Sequence, residues 1–118
     1  MGLQPKTSML PGQIFLASFP FGDVPGMKLR PVLLLTPPIG PIPEVLVAYI
    51  SSRVPASLLP TDLLIDVPAP QTGLKVPSVV RLHKQATLHR SSLVRLLGEI
   101  PVADRPKINL KLRSLLAL

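Results

Sequence analysis

Apolar positions come in short bursts separated by proline and glycine. Residues 13–19 alternate apolar and small side chains, which predicts a strand. Residues 31–36 and 45–51 are leucine-rich and β-branched runs, and 62–67 and 78–83 are further strand-like segments. Residues 93–100 suit either a strand or a short helix, because periodicity does not decide so short an apolar run. Turn chemistry fills the gaps at 20–26, 37–43 and Thr72-Gly73. The last segment differs. Ile108, Leu112, Leu115 and Leu116 recur at helical spacing, Asp104 can cap, and Pro106 falls in the first turn, where proline is tolerated. Lys107, Lys111 and Arg113 suit the outer face of that helix. Residues 1–10 read as a loose lead-in. The pattern predicts a mainly β fold, a small barrel with a C-terminal α-helix, in one domain over residues 1–118.

Composition sharpens this picture. Sixteen prolines among 118 residues argue against a mostly helical chain, since proline removes a backbone donor and breaks helix interiors. At 47% apolar the chain can fold, and at 3% aromatic its core must be aliphatic. The absence of cysteine excludes disulfides and thiolate metal sites and fits a reducing, cytoplasmic location. The longest apolar stretch, 31–50, is broken by Pro37, Pro38, Gly40, Pro41, Pro43 and Glu44, so no membrane span is expected. The net charge of +7 is concentrated toward the C-terminus: Arg81, Lys84, Arg90 and Arg95 run with no intervening acid, and Arg105, Lys107, Lys111 and Arg113 follow Asp104. Such a field attracts a nucleic-acid backbone or an acidic protein.

Candidate chemistry sits where cations meet strand ends. Lys28-Leu29-Arg30-Pro31 leads into an apolar run, and Pro31 biases Arg30 toward extended geometry. In Ser78-Val79-Val80-Arg81-Leu82-His83-Lys84, strand alternation places Arg81 and His83 on one face, about 6.6 Å apart, with Val80 and Leu82 on the other. Ser51, Ser52 and Arg53 close another strand, where hydroxyls either satisfy a turn or donate to a phosphate. The ordinary alternative for each group is a solvated or salt-bridged strand end. No nucleophile elbow, Walker loop or dinucleotide motif is present, and the acids and the two histidines are too scattered to suggest a metal site, so no cofactor is expected.

Taken in order, Pro11-Gly12-Gln13-Ile14-Phe15-Leu16, Phe19-Pro20-Phe21-Gly22-Asp23, Lys28-Leu29-Arg30-Pro31-Val32-Leu33-Leu34, Val47-Ala48-Tyr49-Ile50-Ser51-Ser52, the segment from Gly73 to Leu82, and Leu97-Gly98-Glu99-Ile100 resemble the PemK/MazF toxins of type II toxin–antitoxin systems. The resemblance implies an SH3-like barrel, a homodimer, metal-independent and sequence-specific endoribonuclease action on single-stranded mRNA, and a cognate antitoxin with an acidic tail. It implies catalytic roles for Arg30, in the Arg-Pro motif, for Ser51, at a hydroxyl position, and for Arg81, in a Val-Val-Arg motif. His83 stands where those members usually carry Asp or Glu, and a histidine titrates near neutral pH. Asp23, Lys28, Ser52, Arg53 and Lys84 are the expected RNA contacts. Two alternatives accompany this reading: a homologue that binds RNA or antitoxin without cutting, and a gyrase inhibitor of the CcdB type on the same barrel.

Overall fold

The computed structural model describes residues 9–19 and 26–118, with only the backbone of Phe19; the lead-in before Met9 and the loop carrying Asp23 lie outside the described residues. Six strands precede one helix: β1 (Gln13–Phe19), β2 (Lys28–Leu34), β3 (Glu44–Ser51), β4 (Asp62–Ile65), β5 (Ser78–His89), β6 (Leu93–Glu99) and α1 (Arg105–Leu116). They form one antiparallel sheet in the order β4-β5-β3-β2-β1-β6. Residues 93–100, ambiguous by pattern, resolve as strand.

Neighbouring residues on a strand feed two different cores. Ile14, Leu33, Ala48, Val80 and Leu82 join one cluster, which Ile108 of α1 closes. Phe15, Val32, Val45, Val47 and Leu88 join the other. The central strands therefore read as continuous apolar runs rather than alternating ones. Phe15 is the one buried aromatic side chain among the described residues, and the rest of both cores is aliphatic.

No ladder joins β4 to β6 among the described residues, so the barrel is open in its hydrogen bonding. A 3₁₀ turn at Pro70–Thr72 covers the gap by lying against β6. The approach is backbone to backbone: a Cβ on Gly98 would collide with the Gln71 carbonyl, and one on Gly73 with the Leu97 carbonyl. Gly73 also has φ +73°, the left-handed region that glycine adopts without penalty.

Several sequence expectations need correction. β2 begins at Lys28, three residues before the apolar run, because Lys28, Leu29 and Arg30 continue the ladder to β1. β5 runs to His89 rather than His83. Its polar Lys84-Gln85 mark an irregularity, where the β3 partner jumps from Arg81 to Gln85, and not an end. Asp104 makes no side-chain cap. Its φ −90°, ψ −14° is already helical, so the carboxylate cannot fold back onto the first turn, and it pairs with Lys107 at 3.4 Å instead. Only the first turns of α1 meet the barrel, through Ile108 and Leu112, so Leu115 and Leu116 stay exposed. Lys111, expected on the outer face, reaches across to donate to the Pro60 carbonyl at 2.9 Å.

Replacing Gly98 by alanine should therefore cost about 3 kcal/mol of stability by overpacking a backbone contact. Gly40→Ala meets nothing closer than 3.8 Å and should cost only about 1 kcal/mol for its left-handed backbone. Thermal or denaturant unfolding of both variants measures the difference, and equal losses would show that the turn does not bear on β6.

Candidate functional site

The site begins with a missing donor. Leu35 donates to Leu46 across the β2–β3 seam while the Leu34 carbonyl accepts from Gly12 on the other side, so odd-numbered residues of β2 turn their backbone groups toward β3. Pro31 is odd-numbered and has no N–H to give. The β2–β3 ladder accordingly stops at Val32↔Tyr49. Beyond that pair the two strands part, leaving Arg30 exposed and Ser51 half-buried at the opening. Arg30 stays anchored from the other side by its pairing with Ala17.

One row of directly opposed residues crosses five strands: Phe15, Val32, Tyr49, Arg81 and Asp62. Opposed residues of an antiparallel pair project to the same face. Arg30 lies two residues from Val32 and Ser51 two from Tyr49, so both share that face with Arg81. His83 lies two residues further along β5, in the irregular stretch between Arg81 and Gln85 where strict alternation is interrupted. Strand spacing and rise put the Arg30 and Arg81 backbones about 12 Å apart, which two arginine side chains can bridge.

Each of these groups is held. Arg81 Nε sits 2.6 Å from Asp62 Oδ1, with the aspartate side chain fully buried and the arginine 20% exposed. Neither atom has a further hydrogen-bond partner, so the ion pair alone compensates their burial. Asp62 Oδ2 accepts from the Leu59 N–H at 2.8 Å. His83 Nδ1 is 2.8 Å from Thr61 Oγ1. Ser51 Oγ accepts from the Arg53 N–H at 3.0 Å, the turn role open to it from the sequence. Tyr49, central in the row, has its phenol pushed above the ordinary value by burial.

A groove of about 460 Å³ opens at the parted strands, bordered by Arg30 and lined from the opposite side of the strands by Pro31, Ile50, Ser52 and Ser78. Lys28, Arg30, Ser52, Lys75, Ser78 and Arg95 line it, and no described lining residue is acidic. Of the expected contacts, Lys28 and Ser52 thus meet Arg30, whereas Ser51, Arg53, Arg81, His83 and Lys84 do not line the groove. Sequence reading missed four members of the site. Lys75 and Arg95 were visible only as part of a general basic excess. Thr61 and Asp62 gave no local signal, because their partners are on another strand. Among the described residues no three His, Cys, Asp or Glu side chains gather as metal ligands would.

The sequence profile of PemK-like, MazF-like toxins of type II toxin–antitoxin systems matches residues 10–116. The chain belongs to that toxin family. Among solved structures, the toxin resembles Mycobacterium tuberculosis toxin MazF-mt6 at 27% identity, with 90% of this chain and 97% of that one covered and a TM-score of 0.70. It shares its fold with MazF from Deinococcus radiodurans, at 21% identity, 96% and 100% coverage and TM-score 0.68. An endoribonuclease from a mycobacterial species, solved in complex with its cognate antitoxin, has the same fold at 20% identity, 94% and 97% coverage and TM-score 0.68. No curated protein sequence matches the toxin. No helix among its described residues is long and apolar enough to cross a membrane.

Tyr49 is the only tyrosine and the toxin has no tryptophan, so its ionisation can be followed directly by ultraviolet absorbance. The phenol should titrate above 10.0 in the folded toxin and return to that value in denaturant. Its folded-state pKa is raised, so the associated stability is complete below the unfolded value and is lost as pH rises through the folded one. Coincident titrations would show that Tyr49 is solvated. A second expectation concerns the ion pair. Asp62→Ala leaves the Arg81 charge without its partner and should cost on the order of 3 kcal/mol in unfolding experiments.

Proposed function

We propose that this toxin is an endoribonuclease that cuts single-stranded RNA by using the RNA's own 2′-hydroxyl as nucleophile. Support for the reading comes from Arg30, Ser51 and Arg81 on one face of the sheet, with His83 two residues from Arg81 on β5 and a cation-lined groove at the parted strands. In the reaction the 2′-oxygen loses its proton and attacks the adjacent phosphorus. The bond to the 5′-oxygen breaks, and that oxygen takes up a proton, leaving a 2′,3′-cyclic phosphate. His83 is the base for the first proton. Arg30 and Arg81 meet the negative charge that gathers on the phosphate oxygens, and the Ser51 hydroxyl donates to one of them. The 5′-oxygen takes its proton from water, and the base, the cations and the hydrogen-bond donor are the chain's own side chains, so the scheme uses no metal.

The groove wall of Lys28, Arg30, Lys75 and Arg95 offers phosphate contacts for neighbouring nucleotides. Ser52 lies in the same groove, Arg53 and Lys84 extend the contact surface, and Asp23, outside the described residues, is a further RNA contact in this reading. Likeness to a mycobacterial endoribonuclease solved with its antitoxin supports an acidic antitoxin as the partner that silences the toxin. The +7 charge gives such a partner its attraction. The toxin acts in the cytoplasm, as a homodimer whose two copies share one RNA-binding surface.

Purified toxin incubated with a long RNA should yield discrete fragments ending in 2′,3′-cyclic phosphate, undiminished by excess EDTA. His83→Ala should lower the cleavage rate by about 100-fold or more while RNA binding survives. Loss of cutting in EDTA would overturn the metal-free chemistry. Intact RNA accompanied by blocked DNA supercoiling would replace the nuclease reading with a gyrase inhibitor.

A further inference from the structure

We propose that Thr61 and Asp62 are positioning residues of the cleavage site, Thr61 setting the His83 ring and Asp62 setting the Arg81 guanidinium; this rests on the nuclease reading above. The two are adjacent at the start of β4, and both reach β5. Thr61 is fixed by its backbone, because its carbonyl accepts from the Leu82 N–H at 3.0 Å. Its hydroxyl then meets His83 Nδ1 at 2.8 Å. A hydroxyl can donate to or accept from a ring nitrogen, and the base role assigns the proton to Nδ1, which donates to Thr61 Oγ1 and leaves Nε2 bare. With Nδ1 engaged by Thr61, Nε2 is the nitrogen that meets the RNA.

Asp62 acts on Arg81 in the same way. Its Oδ1 takes Arg81 Nε, and its Oδ2 is tied to the Leu59 N–H, so the carboxylate cannot swing. A guanidinium carries its donors in a planar fork. Because Nε is committed to Asp62, a two-pronged grip on phosphate falls to the two terminal nitrogens, and the plane of the fork is set by a fully buried group. Leu82 separates the two functional residues and is itself locked in the opposite core. One dipeptide on a neighbouring strand thus orients both reacting side chains.

The full-length toxin tests this by nitrogen-15 NMR of the imidazoles, with His89→Gln to assign the His83 signal, and by cleavage kinetics. Wild type and Thr61→Ser should each show a single His83 tautomer, and Thr61→Val a mixture. Thr61→Val should lower kcat between about ten- and 100-fold, with KM within about twofold of wild type, and Thr61→Ser should restore most of the rate. Asp62→Asn should lower kcat over a similar range in protein that still melts cooperatively. A wild-type His83 that already exchanges between tautomers, or a Thr61→Val toxin that cuts at the wild-type rate, overturns the proposal. Should Thr61→Val fail to fold, the wild-type spectrum and Asp62→Asn decide. A wild type that holds one tautomer yet leaves RNA intact would end the nuclease reading and leave the positioning of the ring standing.

Discussion

Burial of the strands on both faces is the constraint from which the rest follows. A strand that feeds two apolar cores has no solvated face on which to carry charge. Polar chemistry must then collect where strands end or where a ladder is broken. In this antiparallel sheet the start of β2, the end of β3, the end of β4 and the start of β5 fall at the same edge of the barrel, and the Arg81–Asp62 pair lies one step inward, level with Val32 and Tyr49. Lys28, Arg30 and Ser51 occupy that edge, Arg81 and Asp62 the row beside it, and His83 the broken ladder just beyond. The functional face is therefore a by-product of topology as much as of side-chain choice: strands buried on both sides can place hydrophilic residues in few other ways.

Two local defects make that edge usable. Pro31 withholds the donor that would have zipped β2 to β3 as far as Arg30 and Ser51. The other defect is the irregularity in β5, where the β3 ladder passes from Arg81 to Gln85 in a single step. Extra residues in one strand bend it and re-aim its side chains. Here the irregular stretch contains His83, while the Leu82 N–H just before it continues the ladder to β4 by donating to the Thr61 carbonyl. The two defects flank the row that carries Arg81, one on the side of Arg30 and Ser51 and the other on the side of His83.

The same features explain what the sequence made legible. Central strands stood out because apolar runs bounded by proline and glycine have few other readings. The errors fell where a residue carries two meanings. Pro31 looked like the start of a strand but is the end of a ladder inside one. Lys84-Gln85 looked like a terminus but is a bulge. Asp104 has the right identity for a cap and the wrong backbone angles. Arg30 and Arg81 were visible as cations against apolar runs. Their surroundings were not, because the Arg81–Asp62 and His83–Thr61 contacts join strands whose pairing no local pattern encodes.

The buried ion pair also raises a question of balance. A buried aspartate–arginine pair is a poor source of stability, since desolvation offsets most of the attraction and an apolar pair of similar shape often does as well or better. β4 is moreover a four-residue edge strand, which such a pair does little to strengthen as a packing element. What Asp62 supplies that a leucine could not is a fixed direction for a guanidinium at the mouth of the barrel. Lys111 of α1 ties down Pro60, directly before Thr61 and Asp62, so the connection into β4 is held from the helix as well. An edge strand whose Leu63 and Ile65 pack into the aliphatic core, and whose first residues are held by polar contacts, keeps orientation where a functional site needs it and leaves stability to the core.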